Sequence, residues 1–213
     1  MKKTYLIAVL LAGLCAASVA AEGIGSMFGT MTTARALGMG KVDFGAGVGI
    51  ADATTVFGTL TYGLSRYTDG RLKLSIVDEE DDINLALGAD LKWQFWDISE
   101  GRREPLDLAF GGFFEYLDLP STTAFQFGAA VIGSYPFALN NGGTLSPYGK
   151  FNVRLESLSW DTQTVGDDES DSDIEFGING GVQWQATSVI GLYGEFQFDG
   201  NDGVFFGINF NVQ

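Results

Sequence analysis

The chain has 213 residues, 12 Lys+Arg against 27 Asp+Glu, no histidine and a formal net charge of -15. So acidic a balance excludes a nucleic-acid binder, which needs Lys and Arg to meet phosphates, and gives no support for peripheral binding to anionic lipid. Thirty glycines and 17 phenylalanines beside only 4 prolines exclude a disordered chain, whose composition would be poor in aromatics.

The chain begins with Lys2 and Lys3, then an apolar run at residues 6–14, then small residues at 16–21. That order is the layout of a secretory signal peptide, with cleavage after Ala20 or Ala21. The apolar run is too short to cross a bilayer as a helix. Cys15 follows Leu14, which does not suit a lipidation signal, so the only cysteine is expected to leave with the leader. The mature chain then has no disulfide to stabilise it. Residues 22–39 form a segment expected either to plug a lumen or to hang in the periplasm, and 40–213 form one domain.

From Gly40 onward, apolar residues recur with period two. Ile83, Leu85, Leu87, Ala89, Leu91, Trp93 and Phe95 alternate with Asn84, Ala86, Gly88, Asp90, Lys92 and Gln94. Thirteen residues of such alternation specify a strand, because the same spacing would scatter over every face of a helix. The pattern returns around Phe110, Phe176 and Phe206. Strands are expected at 40–50, 55–65, 71–77, 83–95, 105–117, 123–135, 145–158, 173–185, 188–198 and 203–213. The even count suits a single closed antiparallel transmembrane β-barrel of ten strands. Eight is the alternative if 71–77 or 188–198 is not a strand.

A soluble β-sandwich would also show period two. Three features favour a membrane. Aromatics lie near strand ends, at Trp93, Phe95, Tyr116, Tyr135, Trp184, Phe206 and Phe210, as interfacial girdles require. The opposite face is rich in Gly, Ala, Asn and Gln, which suits a narrow interior. Hydrocarbon cannot satisfy free backbone groups, so such a sheet must close. By register, Lys41, Asp43, Lys73, Asp90, Lys92, Asp107, Glu115, Lys150, Arg154, Glu156, Glu175 and Glu195 face the lumen. They must pair or stay hydrated, which predicts a salt-bridged plug, with a hydrated passage as the alternative.

With both termini periplasmic, the long link at 159–172 and the acidic run at 78–82 are extracellular. The links at 66–70, 96–104 (holding Arg102 and Arg103) and 136–144 are periplasmic, and longer than the tightest barrel turns. Asp167, Asp168, Asp171 and Asp173, with Glu175, offer oxygen ligands for Ca²⁺. They lack the EF-hand spacing, and acidic runs are usually solvated loops. No other cofactor is expected.

The patterning, the leader and the aromatic-rich last strand together resemble the small outer-membrane β-barrels of Gram-negative bacteria, the OmpA-like and OmpW-like group. The resemblance implies an outer-membrane, multi-pass and monomeric barrel in contact with lipid and lipopolysaccharide, inserted by the barrel assembly machinery. Members commonly end in an aromatic residue, whereas this chain ends Phe210-Asn211-Val212-Gln213. The segment from Thr33 to Gly40 resembles the N-terminal stretch of fatty-acid-transporter-like barrels, and Tyr62-Gly63-Leu64-Ser65 with Arg71-Leu72-Lys73-Leu74 resembles a hairpin of such proteins. The chain is too short for their fourteen strands, so no lipid-transport role is carried over.

Barrel enzymes of this size class use histidine, which this chain lacks, so no neutral general base is at hand. No nucleophilic triad, zinc cluster or phosphate loop can be written. The chain is therefore expected not to be an enzyme. A structural or surface barrel is expected, with a small pore or adhesin-like recognition through the acidic loops as alternatives.

Overall fold

A computed structural model describes residues 23–79, 82–100, 106–118, 122–140, 142–160 and 169–212. The expected leader with Cys15, and Glu80, Asp81, Arg102, Arg103, Asp167 and Asp168, lie outside the described residues. The strands are β1 (Val42–Ile50), β2 (Thr54–Gly63), β3 (Thr68–Glu79), β4 (Asp82–Trp96), β5 (Asp107–Asp118), β6 (Thr122–Ser134), β7 (Phe137–Ala138), β8 (Thr144–Trp160), β9 (Glu169–Gln185), β10 (Ile190–Phe198) and β11 (Gly203–Val212).

Sequential strands pair antiparallel, apart from the two-residue β7, which pairs only with the start of β8. Two pairings seal the sheet. β1 runs along β11 from Val42↔Val212 to Ile50↔Val204, and β6 runs along β8 from Thr122↔Trp160 to Ser134↔Tyr148. The result is a closed barrel of ten strands, with β7 an extra ribbon. Closure of the ten-strand ladder pairs every strand on both sides over the shared belt, which is the condition for placing β-structure in hydrocarbon.

Alternation decides the two faces. Leu72, Leu74, Ile76, Leu85, Leu87, Leu91, Phe151, Ile174, Phe176 and Phe196 are exposed on the outside. Lys73, Ser75, Asn84, Lys92, Gln126, Asn152, Arg154, Asn179 and Gln197 are buried inside. An apolar belt of this extent is costly in water and favourable in lipid. Near the mouth where the chain ends, Tyr62, Trp93, Trp96, Phe137 and Trp184 are exposed as an aromatic girdle, and Trp93, Phe95 and Trp96 are in ring contact. A register shift between Gln94 and Trp96 turns Trp96 onto that surface.

Three boundaries differ from the sequence reading. β3 starts at Thr68, so Asp69-Gly70 is paired with Lys92 and Leu91 rather than forming a turn. The link expected at 159–172 is shorter, because the β8–β9 ladder continues to Trp160↔Glu169. Backbone pairing there needs no hydrophobic alternation, so the ladder outlasts the apolar pattern. At 17 residues each, β8 and β9 exceed the roughly 9–11 needed to cross hydrocarbon and project beyond the other strands. The link expected at 136–144 is partly strand, since β7 folds it into a small hairpin.

The lumen is occupied by the chain itself. Residues 23–39 run through it as a strap, and Met27, Phe28, Met31 and Ala34 are buried. Glycine makes the bend from the strap into β1. Gly38 and Gly40 have φ of 92° and 78°, a region that side chains disfavour. At Gly63 a Cβ would collide with the Gly38 carbonyl. The strap end is thereby seated against β2, with Gly40 N–H donating to Gly63 O at 2.8 Å.

Candidate functional site: the occupied lumen

The strap is held mainly through its backbone. At the hairpin end of the barrel, Ile24 N–H donates to Glu156 Oε1 at 2.7 Å and Ser26 N–H to Asp199 Oδ1 at 3.4 Å. In the middle, Thr30 and Met31 N–H donate to the two oxygens of Glu195 at 2.6 and 3.0 Å. Towards the chain-terminus mouth, Ala34 N–H meets Ser134 Oγ, Ala36 N–H meets Gln94 Oε1, and Leu37 N–H meets Asp69 Oδ2 at 2.9 Å. The strap carbonyls are matched too. Gly25 O accepts from Gln126, Ser26 O from Gln197 and Asn201, Thr30 O from Arg71, and the Thr33 and Arg35 carbonyls from Lys92. Backbone groups along the whole length of this irregular segment therefore find side-chain partners in the barrel wall, as burial of polar backbone demands.

The lumen charges form linked pairs. Arg71 Nε and Nη2 grip Asp90, the shortest contact being 2.7 Å. Lys73 Nζ bridges Asp90 at 3.3 Å and Glu115 at 2.6 Å, and also lies 4.8 Å over the Phe28 ring. Lys92 faces Asp69 at 3.5 Å. Arg154, only 1% exposed, pairs with Glu156 at 3.2 Å, and its Nη2 donates to the Asp199 carbonyl. Buried ions of opposite sign in contact offset the cost of desolvation that a lone charge would incur.

Of the residues expected to face the lumen, Asp43, Lys73, Lys92, Asp107, Glu115, Arg154, Glu156 and Glu195 are buried there. Asp90, Lys150 and Glu175 are half-buried. Arg154 and Glu175 are direct register partners. Lys41 differs: it precedes β1 and is exposed at the mouth rather than inside. Three further charged groups belong to the lumen. Arg71 and Asp69 share the side of β3 that carries Lys73, a parity visible for Arg71 within the expected 71–77 strand and for Asp69 once β3 is extended to Thr68. Asp199 sits in the β10–β11 turn, where no periodicity could signal its burial. Burial pushes the Asp199 carboxyl up to about 6, against the lowering influence of Arg154 and Lys150.

Asp171 and Asp173 are exposed residues of β9, not of a loop. Among the described residues, no group of three or more acidic side chains is arranged to hold a metal ion.

The interior is not filled evenly. The half away from the chain-terminus mouth is packed by Phe28, Phe57 and Phe205, with ring centroids 6.3 Å apart in both pairs; Tyr148 and Tyr193, edge to face, lie nearer the mouth, and Tyr193 borders the open part. The other half opens into a vestibule of about 320 Å³ at the chain-terminus mouth, bordered by Arg35, Lys41, Asp43, Asp69, Arg71 and Lys92.

A sealed antiparallel ladder, apolar outside and charged inside, defines a transmembrane β-barrel, here with its lumen occupied by its own N-terminal strap. No protein-family model matches the chain, and neither does any curated protein sequence. Among solved structures it is similar to the N-terminal β-barrel domain of Pseudomonas aeruginosa OprF, at 13% identity and a TM-score of 0.40, over 82% of this chain and 99% of that one. It is also similar to Neisserial surface protein A, at 14% identity and a TM-score of 0.35, over 80% of this chain and 94% of that one.

Proposed function

We propose that this protein is an outer-membrane barrel of structural or surface kind, stoppered by its own strap, and not an open pore. The observation that carries this reading is the strap itself, hydrogen-bonded to lumen side chains from Glu156 at one end to Asp69 at the other. A path for ions would have to displace buried backbone that is hydrogen-bonded to the barrel wall at both ends and in the middle. The secretory leader and the apolar belt support the outer membrane. The β8–β9 extension, with acidic residues and no Lys or Arg in 159–175, suits the extracellular side.

Planar-bilayer recording of the refolded chain from Glu22 onward tests the reading. The wild type should give no discrete conductance steps, whereas Glu195→Ala, which removes the central anchor of the strap, should flicker open. Regular steps from a wild-type barrel of normal heat-modifiable gel mobility would overturn it.

A further inference from the structure

The vestibule has two unlike walls. One is neutral and built by register: Thr144 pairs with Gln185 and Ser146 with Gln183 across β8 and β9, and Gln185 is followed across β10 by Gly191 and then Asn209. Gly191 has no side chain, so Gln183 and Gln185 fold over it. A Cβ there would lie 3.0 Å from Gln185 Oε1. Gln183 Nε2 donates to Gln185 Oε1 at 3.1 Å, and Asn209 Nδ2 to Asp43 Oδ1 at 2.7 Å. These bonds fix the amides while leaving further donor and acceptor positions for hydroxyl groups.

The other wall carries charge, and accessibility decides its sign. Asp43, Asp69 and Asp107 are buried, and protein donors already engage them. Asp43 accepts from Asn209, Asp69 from Leu37 N–H, and Asp107 from Ile98 N–H and Gln94. Arg71 and Lys92 are committed to Asp90, Asp69 and the strap carbonyls. Arg35 and Lys41 are exposed at the rim; among the described residues neither makes a close ion pair or side-chain hydrogen bond, though Asp97 and Asp107 lie near enough to Arg35 to feel its charge. Of the charged groups that border the vestibule, the exposed ones without a close partner are therefore the cations Arg35 and Lys41. A cavity of about 320 Å³ falls at the small end of ligand sites, roughly 300–1,000 Å³, and barrel mouths are a preferred place for them.

We propose that this vestibule binds a small hydroxylated organic anion of sugar-acid type, its carboxylate held by Arg35 and Lys41 and its hydroxyls by the Gln183, Gln185 and Asn209 amides. A guanidinium fork matches a carboxylate in bidentate fashion. The site depends on the strap lying in the lumen, since Arg35 is a strap residue, but not on whether the lumen conducts.

Calorimetric titration of the refolded protein in nonionic detergent, with glucuronate as probe, tests this directly. Glucuronate should bind saturably, glucose should not, and the Arg35→Gln/Lys41→Gln double variant should bind at least tenfold more weakly. Gln185→Leu should weaken glucuronate several-fold while leaving the charged rim intact. Heat-modifiable mobility and circular dichroism confirm that each variant is folded. The proposal is overturned by absence of saturable glucuronate binding, by unchanged affinity in the double variant, or by inorganic phosphate competing as well as glucuronate does. The last outcome would mark a bare anion site without hydroxyl recognition.

Discussion

Glu195 Oε2 accepts the backbone N–H of Met31 at 3.0 Å, joining the last hairpin to a strap residue 164 positions earlier in the chain. The same carboxylate takes the Thr30 N–H at 2.6 Å, the Tyr148 hydroxyl at 2.6 Å and Asn179 Nδ2 at 2.8 Å. Met31 has a φ of 43° and Gly29 one of 61°, so the strap turns at this point to aim consecutive amides at one acceptor. Glu195→Ala leaves four buried donors without their partner, and an unsatisfied buried group costs about 1–3 kcal/mol. We expect a loss of at least about 3 kcal/mol in urea unfolding from micelles. Faster amide exchange at Thr30 and Met31 than elsewhere in the barrel should accompany it. Unchanged exchange at those two amides would show that Glu195 does not anchor the strap.

The strap also contributes apolar packing. Phe28 is 1% exposed, stands edge-on to Phe57 and lies under the Lys73 ammonium. Phe28→Ala should therefore behave as a core truncation and cost about 3–5 kcal/mol. Met39→Ala, eleven residues further on and 76% exposed, should be neutral within about 0.5 kcal/mol. Equal small effects from both, in the same unfolding assay, would mean the strap does not pack in the lumen in solution.

What the sequence disclosed and what it hid divide along one physical line. Period two is a local property, so Leu85, Leu87 and Leu91 on one face of β4 and Lys92 on the other were legible, as was closure by an even number of strands. The charged lumen was legible for the same reason. The strap was not placed, because residues 23–39 carry no periodicity. Their burial is set by acceptors such as Glu156 and Glu195, more than 130 positions away. Asp69 was hidden by a local signal pointing the other way: Asp-Gly is a common turn pair, but here Asp69 is paired within β3 and accepts Leu37 N–H. Arg71, by contrast, lay in the expected 71–77 strand at the parity of Lys73 and was legible.

The outer face gives a sharper test of the membrane. Leu87 is about half exposed and sits between register partners Leu74 and Tyr116, near the middle of β4. Leu87→Arg should destabilise the barrel in lipid vesicles by about 2–4 kcal/mol, as a cation at the midplane of a transmembrane barrel does. An arginine nearer the hairpin end, Ile83→Arg, should cost about 1 kcal/mol or less. A flat depth profile across these positions would argue against a bilayer around this belt.

The last prediction concerns pH. Asp199 is buried in the β10–β11 turn, where it accepts Ser26 N–H and its Oδ2 lies 3.9 Å from Arg154 Nη1. Burial raises its carboxyl from 3.8 to about 6. A carboxyl whose pKa is higher folded than unfolded holds its proton longer in the folded barrel. Its stabilising contribution is full below about pH 4 and is lost as pH rises through about 6. At about 1.4 kcal/mol per unit, the shift amounts to roughly 3 kcal/mol over the full titration, of which about 2 kcal/mol falls between pH 4.5 and 7. Asp199→Asn cannot titrate yet keeps the acceptor for Ser26, so its unfolding free energy should vary less over this window than that of the wild type. The measurement is a pair of urea titrations, at pH 4.5 and 7.0, on both proteins. If the two proteins show the same pH dependence, the proton is not held at Asp199, and its carboxylate is ionised beside Arg154 throughout the range.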